Sequence, residues 1–326
     1  MADLIDEEDK VREDDEARDE KSESVGLDRQ VDRLEARRAA KEGMRAAGTL
    51  RGQRFRGATE KLLTRTTSGA IYAFVVLVCL FIGPFTTTLL IIAMAWLCCS
   101  EFFRICRMGG RMPNEGLGLA AAALFPLAAY FRGVSGLAVV LLIMLVGIAC
   151  WYVTTPRANI ADVAVTVFGP VYTSFAFSAI VLIRMSDKGL HGALLTFGVM
   201  LSLWANDAVA YLVGSRIGKH KLAPRISPKK SWEGFWAGLV GSVAVWVVLA
   251  LAGVSGMSPA LAVVIGVVVG LVGVVGDLFE SRIKRGAGVK DSGNLMPGHG
   301  GLLDRSDSLL FGSVAAYMIL LIGGIL

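Results

Sequence analysis

The sequence predicts an all-α protein, a polytopic membrane helix bundle of about nine transmembrane helices with its N-terminus in the cytoplasm. Three observations carry this. The 326 residues are 54% hydrophobic and only 19% charged, and the mean hydropathy is +0.59, outside the balance of a soluble domain. From about residue 69, apolar runs near the ~20 residues needed to cross a bilayer alternate with short loops. Lys and Arg gather in alternate loops, as they do on the cytoplasmic side of a membrane.

The first element is a charged tail, residues 1–66. Met1 to Ser24 carries twelve acidic residues against four basic ones. With almost nothing apolar to bury, it is expected to be disordered. The next stretch, VGLDRQVDRLEARRAAKEGMRAAG, sets Leu27, Val31 and Leu34 at i, i+4 and i+7 among arginines. It reads as a solvated, partly helical tail, with a helix lying on the membrane surface as the alternative. No apolar segment before about residue 69 resembles the core of a secretion signal.

The remainder, 67–326, is the transmembrane domain. Its spans are expected near 69–84, 85–103, 115–131, 134–154, 163–183, 190–215, 233–253, 258–279 and 308–326, the first two divided only by Gly83-Pro84. With the N-terminus inside, Arg51, Arg54, Arg56, Lys61 and Arg65, then Arg104, Arg107 and Arg111, then Arg157 fall on the cytoplasmic side. Only Arg132, Arg184 and Lys188 fall opposite. Cytoplasmic loops near 216–232 and 280–307 follow, and a cell-membrane location with the chemistry facing the cytoplasm. The net charge of +5 is less informative than this distribution, and no nucleic-acid partner is expected. Cys79, Cys98, Cys99, Cys106 and Cys150 show no metal-type spacing and read as packing residues.

Polar groups locate the chemistry, because a carboxylate near the middle of a span costs on the order of 3 kcal/mol. The eighth span ends in VVGDLFESRIKR, where Asp277, Ser281 and Lys284 recur at i, i+4 and i+7 on one helical face. Gly266, Gly270 and Gly273 continue that face and permit close helix contact, either within the subunit or in a homodimer. Alone, this would be an interfacial charge pair closing a span.

The following loop changes the weighing. KDSGNLMPGHGGLLDRSDS, Lys290 to Ser308, supplies three aspartates, two basic residues, a histidine and four glycines. Glycines let backbone N–H groups approach phosphate oxygens. Asp304 and Asp307, at i and i+3, can turn toward one cation, and oxygen ligands of this kind suit Mg²⁺ sharing a substrate phosphate. Carboxylates for a metal beside basic residues for phosphate are the ingredients of phosphoryl or nucleotidyl transfer. A second cluster, GSRIGKHKLAPRISPKKSWEG, reads as Ser227 capping a helix with Pro228 at its first position, so that Lys229 and Lys230 meet anions at a helix N-terminus. On composition alone, positive-inside anchoring with attraction to anionic lipid is the better account of the same lysines. Asp207 lies inside another span, in LWANDAVAYLVG.

At these residues the sequence resembles the phosphatidate cytidylyltransferase, or CDP-diacylglycerol synthase, family. The family signature is matched at Ser281, Lys284, Arg285, Lys290, Asp291, Gly293, Pro297, Gly298, His299, Gly300, Gly301, Asp304, Arg305 and Asp307. Agreement extends to Ser227-Pro228-Lys229-Lys230-Ser231, Glu233-Gly234 and Gly276-Asp277. Two positions depart: Ser306 replaces a usual apolar residue, and Asp207-Ala208-Val209-Ala210-Tyr211 replaces Asp-Thr-Gly-Ala-Tyr.

The resemblance implies the reaction CTP + phosphatidate → CDP-diacylglycerol + pyrophosphate within phospholipid biosynthesis, with CTP, phosphatidate and membrane lipids as partners. It implies Mg²⁺, with room for a second cation, held by Asp277 and Asp304 with Asp207 nearby, and Asp307 as a further ligand or orienting group. Lys284, Arg285, Lys290 and Arg305 would meet phosphates, with Asp291 among the catalytic set. Ser227, Lys229, Lys230, Ser281, Gly300 and Gly301 would bind substrate. His299 either donates to pyrophosphate or braces the loop. Two alternatives stand beside this reading: a CTP-dependent kinase or cytidylyltransferase for another lipid, and a transporter using Asp207 and Asp277. The second lacks the paired broken repeats such transporters show.

Overall fold

The computed structural model describes residues 33, 35–37, 39–41, 49–293, 295 and 300–326. The chain divides into two units, Met1–Thr64 and Arg65–Leu326. In the first, the described residues are helical. The acidic segment 1–24 and the Leu27, Val31 and Leu34 face lie outside the described residues.

The elements run α1 Thr49–Ile82, α2 Pro84–Met108, α3 Glu115–Thr154, α4 Ile160–Pro170, a π-helical turn Val171–Phe175, α5 Ala176–Ser186, α6 Leu190–Ile217, β1 Lys221–Ala223, β2 Ser227–Ser231, α7 Trp232–Leu251, α8 Pro259–Gly286 and α9 Leu303–Ile322. Among the described residues, seven stretches are long and apolar enough to cross a membrane: α2, α3, the continuous run Ile160–Ser186, and α6 to α9. Thr66–Ile82 is a shorter apolar helix. The chain is thus an all-α, multi-pass membrane protein.

The breaks follow from backbone chemistry. Gly83 separates α1 from α2, whose first residue is Pro84, a position where the missing N–H costs nothing. The α1 carbonyls left over at that break need donors, because lipid offers none. Thr86 Oγ1 donates to the Cys79 carbonyl at 2.7 Å, and Arg184 Nε to the Leu80 carbonyl at 3.2 Å. Within α3, Gly133 adopts φ 58°, ψ −141°, left-handed backbone that glycine enters freely. The expected spans 115–131 and 134–154 are therefore two limbs of one element.

Trp246, Phe103, Phe125 and Phe177 are fully buried, whereas Leu142, Ile143, Val146, Val240 and Val248 face outward, as a lipid-facing surface requires. The glycine face of α8 is consumed inside the chain. A Cβ on Gly266 would stand 2.5 Å from Val243 Cα, on Gly270 2.9 Å from Leu239 Cδ2, and on Gly276 2.6 Å from the Asp307 carbonyl. Small residues here let α8 lie against α7 and α9 at backbone distance.

One expectation is corrected. Ser227 does not cap a helix: Ser227–Ser231 is strand β2, antiparallel to β1, and α7 begins at Trp232. Ser231 has the extended backbone of an N-cap (φ −127°, ψ 157°), and its Oγ accepts from Gly234 N at 3.2 Å, the usual capping bond. The residues from Ser227 to Ser231 pair with β1, so Lys229 and Lys230 project from a ribbon instead of a helix N-terminus.

Candidate active site

The ribbon brings Lys230 to the C-terminal part of α8, where its Nζ pairs with Asp277 Oδ2 at 2.6 Å. That pair sits in the wall of a cavity of about 1000 Å³. Its charged lining includes Asp207, Lys229, Lys284, Asp291, Asp304, Arg305 and Asp307 beside the pair. Its apolar lining includes Tyr72 and Ala73 of α1, Trp204 and Tyr211 of α6, and Phe235 of α7. Charged groups converging in a hollow that apolar side chains also line is a common form of a ligand site.

Carboxylates from three helices meet at this wall. Ser281 Oγ, one turn beyond Asp277 on α8, donates to its Oδ1 at 3.3 Å. The Ser308 hydroxyl of α9 lies 3.4 Å from Asp207 Oδ2 of α6 and 3.4 Å from Asp307 Oδ1. Asp307 also accepts from its neighbour's backbone, Ser308 N, at 2.7 Å. Asp207, Asp277 and Glu280 all lie close enough for their charge to act on Asp307. Gathering anions is costly unless cations or polarised donors answer them. Lys230 and the serine hydroxyls supply part of that answer.

Beneath this wall the packing is aromatic. Phe279 of α8 and Phe311 of α9 pack edge to face at 5.5 Å between ring centroids, and Tyr172, in the π-helical turn, meets both. These rings fix the spacing between α8 and α9, and with it the spacing of Asp277 and Asp307.

Asp304 has a different task. Its Oδ1 accepts from Lys284 Nζ at 2.5 Å, while its Oδ2 accepts from Ser292 N at 2.9 Å and Gly301 N at 2.9 Å. Lys284 also pairs with Glu280 one turn back on α8. The ammonium is thus held between two carboxylates, with side-chain exposures of 9% for Lys284, 1% for Glu280 and 6% for Asp304. Asp304 folds the loop onto the end of α8.

From the far side, Glu101 of α2 does the same. Its buried carboxylate accepts from Ser292 Oγ at 2.8 Å, Leu302 N at 3.0 Å and Leu303 N at 2.8 Å. Arg104, one turn on, donates to the Ser292 carbonyl. The loop glycines fit these carboxylates closely. A Cβ on Gly293 would come 2.9 Å from Glu101 Cδ, and one on Gly301 2.7 Å from Gly293 N. Gly300 has φ +87°, and a Cβ there would lie 2.7 Å from Asp304 Oδ2.

Of the residues singled out in the sequence, the structure brings Asp207, Lys229, Lys230, Asp277, Lys284, Asp291, Asp304, Arg305 and Asp307 to one cavity, with Ser281 touching Asp277. Arg285 turns instead to the Val289 carbonyl at 2.9 Å, Lys290 is exposed, and Ser227 opens β2. Gly300 and Gly301 shape the loop. His299 lies outside the described residues. Sequence reasoning missed Glu101, Arg104 and Glu280. Glu280 directly precedes Ser281, the first signature position, and stands one turn before Lys284, which was the available signal; Glu101 carried only that of a carboxylate within an apolar run. Among the described residues no group of three or more His, Cys, Asp or Glu forms a ready-made metal cage.

A family model described as the cytidylyltransferase family matches residues 63–322. A phosphatidate cytidylyltransferase of Bacillus subtilis (strain 168) is 30% identical over 261 residues, covering 78% of this chain and 96% of that protein. One from Mycobacterium bovis is 39% identical over 168 residues, 51% of this chain and 53% of the relative. Another from Staphylococcus saprophyticus is 40% identical over 155 residues, 48% and 58%. The chain spans about half the length of the mycobacterial relatives it matches.

Proposed function

We propose that this chain, which belongs to the cytidylyltransferase family, joins CTP to phosphatidate to give CDP-diacylglycerol and pyrophosphate at the cytoplasmic face of the cell membrane. The observation that carries the reading is the cavity whose lining joins Asp207, Asp277 and Asp307 with Lys230, Lys284 and a set of apolar side chains. Such a cavity suits a reactant pair of which one member is a polyanion and the other an anion on an acyl anchor.

In the reaction a phosphate oxygen of phosphatidate forms a bond to the α-phosphorus of CTP while the bond from that phosphorus to the β-phosphate oxygen breaks. Pyrophosphate carries away the released electron pair. No covalent bond to the protein is needed, so the work is positioning and charge neutralisation. Lys229, Lys230 and Arg305 hold phosphate oxygens in the cavity, and Tyr72, Trp204 and Phe235 accommodate the lipid's apolar part. Asp304, secured by Lys284 and two backbone amides, keeps Arg305 and Asp307 facing the cavity from the first turn of α9.

The donor set fits Mg²⁺: Asp277 and Asp307 offer hard carboxylate oxygens, Asp207 lies beside them, and an ammonium already rests on Asp277 where cationic charge is wanted. Few protein ligands are expected, because Mg²⁺ in such sites keeps waters and substrate oxygens. Asp304, whose oxygens accept from Lys284 and two backbone amides, serves that cation through the loop it folds. Bound there, Mg²⁺ would neutralise charge on the phosphates. None of these steps calls on a second copy of the chain.

The path of the chain in the membrane belongs to the same reading. Nine crossings result if Thr66–Ile82 spans and α3 crosses twice about Gly133. The positive-inside rule then sets the N-terminus and both polar loops in the cytoplasm.

Label transfer tests the reaction class. With purified protein, phosphatidate and Mg²⁺, label in the α-phosphate of CTP should enter the lipid and γ-label should leave as pyrophosphate. Entry of γ-label into the lipid would make the protein a kinase, and entry of neither, with active lipid present, would refute transfer.

A further inference from the structure

We infer that Glu101 and Arg104, one turn apart on α2, are positioning residues that clamp the catalytic loop at both ends. The inference rests on the transferase reading above and extends it to residues outside the family signature.

The argument starts from what the loop lacks. It leaves α8 at Gly286 and enters α9 at Leu303, and α9 has no N-capping side chain of its own. The first amides of a helix need acceptors. Glu101 provides them from another helix, taking Leu302 N and Leu303 N on its two oxygens. A carboxylate there also suits the positive end of the helix dipole. The same carboxylate takes the Ser292 hydroxyl, and Arg104 takes the Ser292 carbonyl. One side chain therefore ties residue 292, early in the loop, to residues 302 and 303 at its end.

The consequence falls on the cavity. Asp291 precedes Ser292, and Asp304 and Arg305 follow Leu303; all three line the cavity. Glu101 is buried at 8% exposure and is not among the cavity-lining residues, so it acts through the loop and not on substrate. Gly293 and Gly301 are explained by the same contact, since a Cβ on either would intrude on the Glu101 carboxylate. A carboxamide at 101 keeps one accepting oxygen and replaces the other by a donor aimed at an amide. Loss of bonds to a charged acceptor should loosen the loop by about 10-fold or more in local opening.

The test is hydrogen exchange of the full-length protein in lipid nanodiscs, together with steady-state kinetics, for Glu101→Gln and Arg104→Ala. Arg104 is exposed, so its replacement threatens folding least. In Glu101→Gln the amides of Leu302 and Leu303, and in Arg104→Ala the amide of Ser292, should exchange about 10-fold faster or more, while those of α6 keep their wild-type rates. KM for CTP should rise and KM for phosphatidate should stay within about twofold, because the loop carries the phosphate-facing residues and not the apolar lining. Unchanged exchange at 302 and 303 in Glu101→Gln, or at 292 in Arg104→Ala, would overturn the clamp. So would faster exchange throughout the helices, which would make Glu101 a general stabiliser, or a loosened loop with unaltered kinetics. If wild-type protein makes no CDP-lipid, the transferase reading fails, and the exchange rates still decide whether the clamp exists.

Discussion

Lys284 holds two acids at once, Glu280 on its own helix and Asp304 across the loop, and all three side chains are nearly inaccessible. Removing one member of such a buried set strands charge, which costs about 3–5 kcal/mol. Lys284→Ala should therefore lower the unfolding temperature by several degrees in a thermal melt of purified protein, and Glu280→Gln combined with Lys284→Met should recover much of that loss. Lys230 is different. It is about a quarter exposed, so Lys230→Ala should leave the melt nearly unchanged while reducing kcat/KM for CTP by about 10-fold or more, the scale of a charge-assisted bond to phosphate. At this scale the sequence was partly legible. Asp277, Lys284 and Asp304 declare themselves by charge, spacing and context. Glu101 does not, because its partners lie 191 to 202 residues further along the chain, and no local pattern encodes a contact of that separation.

At the scale of elements, helix packing sets the site. The glycines of α8 bring it to backbone distance from α7 and α9, which fixes where Asp277 stands relative to Lys230 and Asp307. Gly266→Ala should destabilise the protein by about 1–3 kcal/mol, as overpacking does, because Val243 Cα blocks the added methyl. Gly286→Ala, with nothing within 4 Å, serves as the matched control in the same melt. Helix existence was legible from apolar runs, and the Gly83-Pro84 break from the residues themselves. The β1–β2 ribbon was not. Ser227-Pro228 looks like a helix start, and only the pairing with Lys221–Ala223 moves that start to Ser231, a choice that depends on neighbours rather than on the capping residue.

For the whole molecule, the claim is an ionic cavity opening at one face of a membrane bundle. Orientation rests on the distribution of Lys and Arg and can be measured. In a chain with its five cysteines replaced by alanine, Leu295→Cys in the signature loop should react with an impermeant maleimide only from the cytoplasmic side, and Lys188→Cys only from the opposite side. Deletion of residues 1–24, a stretch without signature residues, should leave turnover within about twofold.

The central claim is that the carboxylates of α6, α8 and α9 act together on a nucleotide and a lipid phosphate. Its most direct measurement is the rate of pyrophosphate release by purified wild-type protein and Asp307→Asn, with CTP, phosphatidate and a range of Mg²⁺ concentrations. The wild type should require all three components, and Asp307→Asn should lose at least about 100-fold in kcat, as removal of a group that stabilises developing charge does, while melting at the wild-type temperature or above. Pyrophosphate release by Asp307→Asn at the wild-type rate would contradict the account.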